Sequence, residues 1–168
     1  MVTGARADHL GALVDRLSSA GASVEAANGG LRVRASGRPA AVDITTLPFP
    51  GFPTDLQAQM TAMMAISRGV SVITEKIYPE RFLHVPELRR MKAQITLEGH
   101  SAIVKGVEGL GGAPVAASDL RASAALVLAG LVADTHTDIS GVEHMDRGYE
   151  ALVNKLASLG ARIRRERA

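Results

Sequence analysis

Near the N-terminus, apolar positions recur at intervals of three and four, which is the spacing of an amphipathic helix. The predicted helix runs from Asp8 to Ser19, and its apolar face carries Leu10, Leu13, Val14 and Leu17. Two short segments of alternating polarity follow, residues 23–26 and 31–34, and they predict strands. Because Asn28 and the two glycines after it accept positive φ, we expect these strands to form a hairpin.

Similar elements continue to the end of the chain. A third strand is predicted over residues 41–45, and the proline-rich loop 48–53 separates it from a helix. Thr54 or Asp55 would cap this helix, which reaches about Ile66. The remaining predicted elements are a strand at 70–74, a helix at 85–91, strands at 94–98, 102–105 and 115–116, a helix at 120–131, a strand at 135–140, a helix at 148–159 and a strand at 162–164.

Three sets of markers recur along the chain with a period of about 70 residues. They are aspartates that open apolar helical stretches, alanines that follow amphipathic helices, and arginines at predicted helix starts: Asp55 and Asp119; Ala22, Ala93 and Ala161; Arg81 and Arg147. The repeat predicts units at about 1–74 and 75–140 and an incomplete unit at 141–168, in one partial domain spanning 1–168. Hairpins and crossovers together indicate the α/β class, or α+β by some schemes.

The composition excludes several functions. The chain has no cysteine, so it has no disulfide or thiol chemistry of its own, and its net charge of +2 implies no general affinity for polyanions. The N-terminus lacks the apolar core of a signal peptide, and the longest apolar stretch, around residues 122–133, is too short to cross a bilayer. We therefore expect a soluble, cytoplasmic protein that binds neither membranes nor nucleic acid.

Two groups of charged or titratable residues are candidates for further sites. Four histidines show no spacing typical of a metal site, so neither a metal nor a cofactor is expected: His84, His100, His136 and His144. Four arginines crowd the C-terminus: Arg162, Arg164, Arg165 and Arg167. They form either a solvated tail or a weak contact to phosphate or RNA, and a steep salt dependence of RNA binding would be needed to sustain the second interpretation.

Asp55 is the first candidate for chemistry, because it follows a stiff proline-rich loop at a predicted helix entrance. Its carboxylate could cap the helix. Alternatively, it could point into a cleft and take a proton from a substrate hydroxyl. Asp119 occupies the equivalent repeat position, which favours capping for both.

Arg121 and Arg147 are the second candidates, each near a predicted helix start. Two guanidinium groups beside free backbone N–H groups make a favourable anion site. The alternative is that Asp119 and Asp146 simply neutralise these neighbours. On this reasoning the chain suits an acidic, phosphorylated small molecule, without a named reaction.

Four sequence blocks resemble the UDP-N-acetylglucosamine enolpyruvyl transferases, and they occur in the order and with the separations of that family. The blocks are Phe52-Pro53-Thr54-Asp55-Leu56-Gln57-Ala58-Gln59; Thr74-Glu75-Lys76-Ile77-Tyr78 with Arg81-Phe82-Leu83-His84-Val85-Pro86-Glu87-Leu88; Ala117-Ser118-Asp119-Leu120-Arg121-Ala122-Ser123-Ala124; and Asp146-Arg147-Gly148-Tyr149-Glu150. The match runs from about Thr3 to Arg165.

The resemblance implies an inside-out α/β barrel of repeated units and transfer of an enolpyruvyl group from phosphoenolpyruvate to the 3-hydroxyl of UDP-N-acetylglucosamine. This is the first committed step of peptidoglycan synthesis, and it needs no cofactor. By resemblance, Asp55 deals with the sugar hydroxyl proton, and Arg121 and Arg147 hold phosphoenolpyruvate. Ile77 and Tyr78 would contact the nucleotide sugar, and Arg81 would lie near the reacting groups.

The chain also departs from the family pattern. The family's mobile loop, with its cysteine and arginine, belongs to another domain that has no counterpart here, and the lysine that holds phosphoenolpyruvate is missing. Phe49 stands where relatives often carry a polar or Tyr/His ring. We therefore expect an enzyme fragment, inactive without the missing N-terminal domain and with exposed surface near Asp55 that could allow a homodimer. The alternative is a non-catalytic module that binds a nucleotide sugar or a partner.

Overall fold

A computed structural model describes residues 1–166, and the predicted α/β class is confirmed. The helices are α1 (Gly11–Ser19), α2 (Gln57–Met64), α3 (Val85–Arg90), α4 (Leu120–Leu131) and α5 (Leu152–Ser158). Three 3₁₀ helices cover Ala7–His9, Thr54–Leu56 and Val142–Arg147. The strands are β1 (Val2–Thr3), β2 (Ser23–Ala27), β3 (Gly30–Arg34), β4 (Ile44–Thr45), β5 (Val70–Thr74), β6 (Gln94–Glu98), β7 (Ser101–Lys105), β8 (Pro114–Ala116) and β9 (Asp138–Ser140).

The strands form three small sheets. The first is antiparallel, with order β1-β3-β2, and it contains the expected hairpin with Asn28 at φ 33°. The second has order β4-β5-β7-β6, in which β4 is parallel to β5 and the other pairs are antiparallel. The third pairs β8 with β9 in parallel. Since parallel neighbours need a crossover, α2 connects β4 to β5 and α4 connects β8 to β9.

The order hairpin, strand, helix, strand therefore occurs twice, first from β2 to β5 and then from β6 to β9. The predicted bounds of β5, β6 and α4 agree with the structure, whereas the strand predicted at 41–45 is only two residues long. The exact division into repeat units remains a prediction.

The C-terminal predictions need correction. The helix expected at 148–159 begins only at Leu152, because Ala151 adopts positive φ and separates it from the preceding 3₁₀ helix. The strand expected at 162–164 is absent, since no strand within residues 1–166 pairs with that segment. Arg167, the last member of the basic run, lies outside the described residues.

The core is centred on α2 and α4, which pack against each other. Their buried faces carry small and flexible side chains that allow close approach: Ala58, Met60, Met64, Ala65, Ala125, Leu126 and Ala129. The sheet contributes Ile73, Ala102 and Val104, each fully buried. Close packing of such side chains replaces the aromatic bulk that the composition lacks.

One arginine connects the end of α2 to the segment after β7. Arg38 donates hydrogen bonds to the carbonyl oxygens of Ile66, Ser67 and Val107 at 2.8–2.9 Å. Gly106 lies directly against the same region, because a Cβ at this position would be only 1.9 Å from the Ser67 carbonyl oxygen. The two segments are thus held together at backbone distance. Within residues 1–166, no helix is both long and apolar enough to cross a membrane.

Candidate functional site

Asp55 lies in the short 3₁₀ helix before α2, and its side chain is 65% exposed. The residue that precedes α2 is Leu56, and neither this helix nor the 3₁₀ helix has a side-chain cap. The interpretation of Thr54 or Asp55 as a helix cap is therefore wrong. Instead, one carboxylate oxygen of Asp55 accepts from Nε and Nη2 of Arg121 at 2.7 and 2.5 Å.

Arg121 occupies the first turn of α4, as predicted. Asp119 caps this helix, because its Oδ1 accepts from the backbone N–H groups of Arg121 and Ala122 at 2.7 and 3.0 Å. The cap is confirmed for Asp119, but its carboxylate serves the backbone rather than the guanidinium group. The charge of Arg121 is directed to Asp55, which comes from the other half of the chain.

Arg81 provides the second guanidinium group near Asp55, so the carboxylate lies between two positive charges. Its Nη1 donates to the Thr54 hydroxyl at 2.9 Å and lies 3.5 Å from the Asp55 carboxylate. The Arg81 guanidinium carbon stands 4.1 Å from the centre of the Tyr78 ring, a cation–π contact. The side chain is only 19% exposed, so its charge is held in place against these partners.

Glu75 is a buried site residue that the sequence analysis did not single out. It directly follows β5 and is fully buried. Its Oε1 accepts from the Thr46 hydroxyl and from the backbone N–H groups of Ile77 and Tyr78 at 2.6, 2.8 and 3.0 Å. Its Oε2 accepts from the Thr54 hydroxyl at 2.9 Å. Burial raises the pKa of Glu75, but the hydrogen bonds together outweigh burial, so the pKa lies below its ordinary value.

The sequence of β5 did not reveal Glu75, because the apolar Val70 and Val72 are exposed whereas the polar Ser71 is buried. Ser71 and Ile73 alternate with exposed residues along β5 and are fully buried, and Glu75 continues the same parity. A carboxylate on the buried side of a strand needs several hydrogen-bond donors, so such donors around Glu75 indicate a specific polar cluster. This alternation of burial is visible only in the structure, so the sequence identified neither the polar cluster nor its partners.

Ile77 and Tyr78 form the turn that Glu75 holds through their backbone N–H groups. The Tyr78 side chain is 55% exposed and that of Ile77 is half-buried. Phe49, on the neighbouring proline-rich loop, is 80% exposed. The candidate contact residues for a nucleotide sugar thus lie at an accessible edge.

Arg147 ends the 3₁₀ helix Val142–Arg147 rather than starting a helix, so the predicted helix-dipole contribution at this residue is wrong. It is exposed, and among residues 1–166 it makes no ion pair, since Asp146 instead binds Arg165 at 2.7 and 2.8 Å. The next two residues contact α4, which carries Arg121, and α2, which follows the segment of Asp55. Gly148 lies against Leu120, and the Tyr149 hydroxyl accepts from Gln59 at 2.9 Å.

The arrangement is therefore Arg81, Asp55 and Arg121 in direct contact, with Arg147 on the adjoining segment. A carboxylate between two guanidinium groups can accept a proton while the arginines bind anions. The described part of the chain contains no group of three or more His, Cys, Asp or Glu side chains suited to a metal ion.

Comparison with known proteins identifies the class. The chain matches the EPSP synthase (3-phosphoshikimate 1-carboxyvinyltransferase) family over residues 1–156, and it belongs to that family.

Particular relatives narrow the resemblance. The chain is 57% identical over 161 residues to the UDP-N-acetylglucosamine 1-carboxyvinyltransferase of Myxococcus xanthus, covering 96% of this chain and 38% of the relative. It is also 57% identical over 167 residues to the enzyme of that name from Anaeromyxobacter sp. (strain Fw109-5), covering 99% and 40%. The resemblance to UDP-N-acetylglucosamine enolpyruvyl transferases is thus confirmed, and the chain spans about 40% of the length of these relatives.

Solved structures agree on the fold. The enolpyruvyl transferase NikO from Streptomyces tendae superposes with a TM-score of 0.82 at 28% identity, covering 92% of this chain and 36% of that protein. An EPSP synthase from Acinetobacter baumannii gives a TM-score of 0.58 at 20% identity, covering 76% and 31%, which supports the fold alone.

Proposed function

We propose that this chain supplies one wall of the active site of a UDP-N-acetylglucosamine 1-carboxyvinyltransferase. The enzyme would transfer the enolpyruvyl group of phosphoenolpyruvate to the sugar 3-hydroxyl, in the first committed step of peptidoglycan synthesis in the cytoplasm. The observation that carries the proposal is the Asp55 carboxylate in contact with Arg121 and Arg81. The names of the close relatives support it.

In the proposed reaction, the sugar 3-hydroxyl oxygen bonds to C2 of phosphoenolpyruvate, and Asp55 accepts the hydroxyl proton. C3 gains a proton from a donor in the other domain, which gives a tetrahedral intermediate. Loss of phosphate from C2 and of a proton from C3 then restores the double bond. Arg121 and Arg147 would hold the carboxylate and phosphate of phosphoenolpyruvate, because fixed guanidinium groups stabilise the negative charge throughout.

Nucleotide-sugar binding is assigned to the edge formed by Ile77, Tyr78 and Arg81. Tyr78 is exposed and its ring is already fixed by the Arg81 guanidinium group at 4.1 Å. We propose that this edge contacts the UDP portion, while Asp55 meets the sugar hydroxyl. We also propose that the chain is divided into repeat units at 1–74, 75–140 and 141–168.

The isolated chain should release no phosphate, because catalysis requires both walls to hold the reactants. We infer that the remaining segments of the polypeptide in the relatives supply the second wall. A homodimer formed through the exposed Asp55 surface stays a separate prediction, and a strictly monomeric chain at high concentration would exclude it.

Calorimetric titration of UDP-N-acetylglucosamine, with and without phosphoenolpyruvate, tests the proposal. We expect binding that is lost in Asp55→Ala and retained in Asp15→Ala, a matched change on an exposed face of α1. Adding the missing segments of the Myxococcus xanthus relative should then produce phosphate release. Binding without phosphate release in the completed protein would favour a non-catalytic module, and absence of both would refute the proposal.

A further inference from the structure

The Glu75 carboxylate accepts four hydrogen bonds, and all four come from residues that border the candidate site. Two come from the backbone of the Ile77–Tyr78 turn, and one comes from Thr54, the neighbour of Asp55. The fourth comes from Thr46, whose hydroxyl oxygen also accepts from the backbone N–H of Lys76 at 2.9 Å. A single buried group therefore connects the proline-rich loop to the turn after β5.

The Thr54 hydroxyl transmits the effect of Glu75 to Arg81. A hydroxyl has one hydrogen to donate, and the 2.9 Å bond to Glu75 uses it. The lone pairs of Thr54 are then directed at Arg81, whose Nη1 lies at 2.9 Å. Because Arg81 also approaches Asp55 and stacks on Tyr78, the orientation of Thr54 determines how three functional side chains meet.

Stability alone does not account for a carboxylate at this position. Removing a charge from water costs free energy, and replacing a buried charge together with its polar partners by apolar side chains of similar volume is often neutral or stabilising. The hydrogen bonds of Glu75 offset this cost and keep its pKa low, so the group is ionised at neutral pH. Its position favours a role in shaping the site.

We propose that Glu75 is a positioning residue, whose buried carboxylate holds the Ile77–Tyr78 turn and the Thr54–Arg81 pair in the geometry that receives the nucleotide sugar. The inference rests on the proposed function for the identity of the ligand. Glu75 is fully buried, so it acts through Thr54, Ile77 and Tyr78 and does not touch the ligand.

The decisive variant is Glu75→Gln, which keeps the shape and one acceptor oxygen but replaces the other with an NH₂ donor. The Thr54 hydroxyl then faces a donor, so its hydrogen must rotate away from residue 75, and the lone pairs that accept from Arg81 are reoriented. We expect a change in the Arg81 Nε–H resonance in NMR spectra of the unliganded chain and roughly tenfold weaker binding of UDP-N-acetylglucosamine. The midpoint of thermal unfolding should fall by only a few degrees.

Two further variants complete the design. Thr54→Val removes the relay but leaves the backbone bonds of Glu75 in place, so it should reproduce the Arg81 change and the weaker binding. It decides the question if Glu75→Gln does not fold. Glu98→Gln, an exposed acid at the end of β6, is the control and should leave both readouts unchanged.

The outcomes separate the two proposals. Unchanged Arg81 resonances and unchanged ligand binding in folded Glu75→Gln, or in Thr54→Val, would overturn the positioning role. If the unmodified chain bound no UDP-N-acetylglucosamine and the completed protein released no phosphate, the proposed function would fail. The Arg81 resonances would still show whether Glu75 positions Arg81.

Discussion

Asp55 and Arg121 lie 66 positions apart in the chain, yet one oxygen of the Asp55 carboxylate receives two hydrogen bonds from the Arg121 guanidinium group. The pair joins the segment before α2 to the first turn of α4. The carboxylate occupies guanidinium donors that an anion could also use. We therefore expect anion binding at Arg121 and release of Asp55 to be coupled, which suits the proton-accepting role proposed for Asp55.

Substitution of Asp55 should strengthen anion binding at Arg121. We expect Asp55→Asn to bind inorganic phosphate about two- to fivefold more tightly, because an exposed ion pair is worth about 0.2–1 kcal/mol. The measurement is a phosphate titration at low ionic strength, followed by the Arg121 Nε–H resonance. Asp15→Asn controls for net charge, and equal affinities in all three proteins would contradict the coupling.

Removal of the α4 cap should destabilise the chain. Asp119→Ala leaves the N–H groups of Arg121 and Ala122 without their acceptor, and we expect a loss of about 1 kcal/mol in the free energy of unfolding. Urea denaturation measures the effect. Ser118→Ala, at the exposed neighbouring position, should change it little. A loss in Ser118→Ala equal to that in Asp119→Ala would show that the cap is not the cause.

His84 should make folding pH-dependent. Burial lowers the pKa of His84 to about 4 from 6.5, while the charge of Asp119 opposes this shift in part. Between pH 6.5 and about pH 4, the His84 side chain therefore binds a proton in the unfolded chain but not in the folded chain. The stability that depends on a neutral His84 is fully present above pH 6.5. It is lost as the pH falls through 4, and the free energy of unfolding then decreases by roughly 3 kcal/mol.

The test is to compare unfolding free energies at pH 7 and pH 4. His84 is 2% exposed and its Nε2 has no hydrogen-bond partner among residues 1–166, so His84→Leu should fold and should lose less stability on acidification than the unmodified chain. His100→Gln alters an exposed histidine and should retain the full dependence. A parallel decline in all three proteins would assign the effect to other groups.

Gly106 and Gly109 provide a matched pair for the packing between the end of α2 and the loop after β7. A Cβ at Gly106 would collide with the Ser67 carbonyl. A Cβ at Gly109 would have no atom of the described residues within 4 Å. We expect Gly106→Ala to cost more than about 2 kcal/mol by thermal or urea denaturation. Gly109→Ala should be neutral or slightly stabilising. Equal effects would mean that the close approach is not required.

Local patterns in the sequence predict the regular elements well, because period and turn chemistry act over a few residues. The Asn28 turn, β5 and α4 are examples. The C-terminal segment was mispredicted because strand formation at 162–164 depends on a partner strand, which periodicity within the segment does not reveal.

The sequence identified several residues of the candidate site but not which of them contact each other. Asp55, Arg81 and Arg121 were identified from their motifs, and they do come together. Their contacts depend on how distant elements pack, so the sequence favoured a cap for Asp55 when its partner is Arg121. Glu75 was missed because its importance lies in four donors from three separate segments.

The position of Glu75 in the sheet has a kinetic consequence. Its backbone N–H donates to the His100 carbonyl at 2.9 Å, directly after β5, and β5 lies between β4 and β7. Amide protons in such interior strands are usually among the last in a domain to exchange with solvent. The geometry of the Ile77–Tyr78 turn should therefore persist for as long as the domain stays folded, and a ligand at this edge would meet a turn that needs no ordering on each encounter.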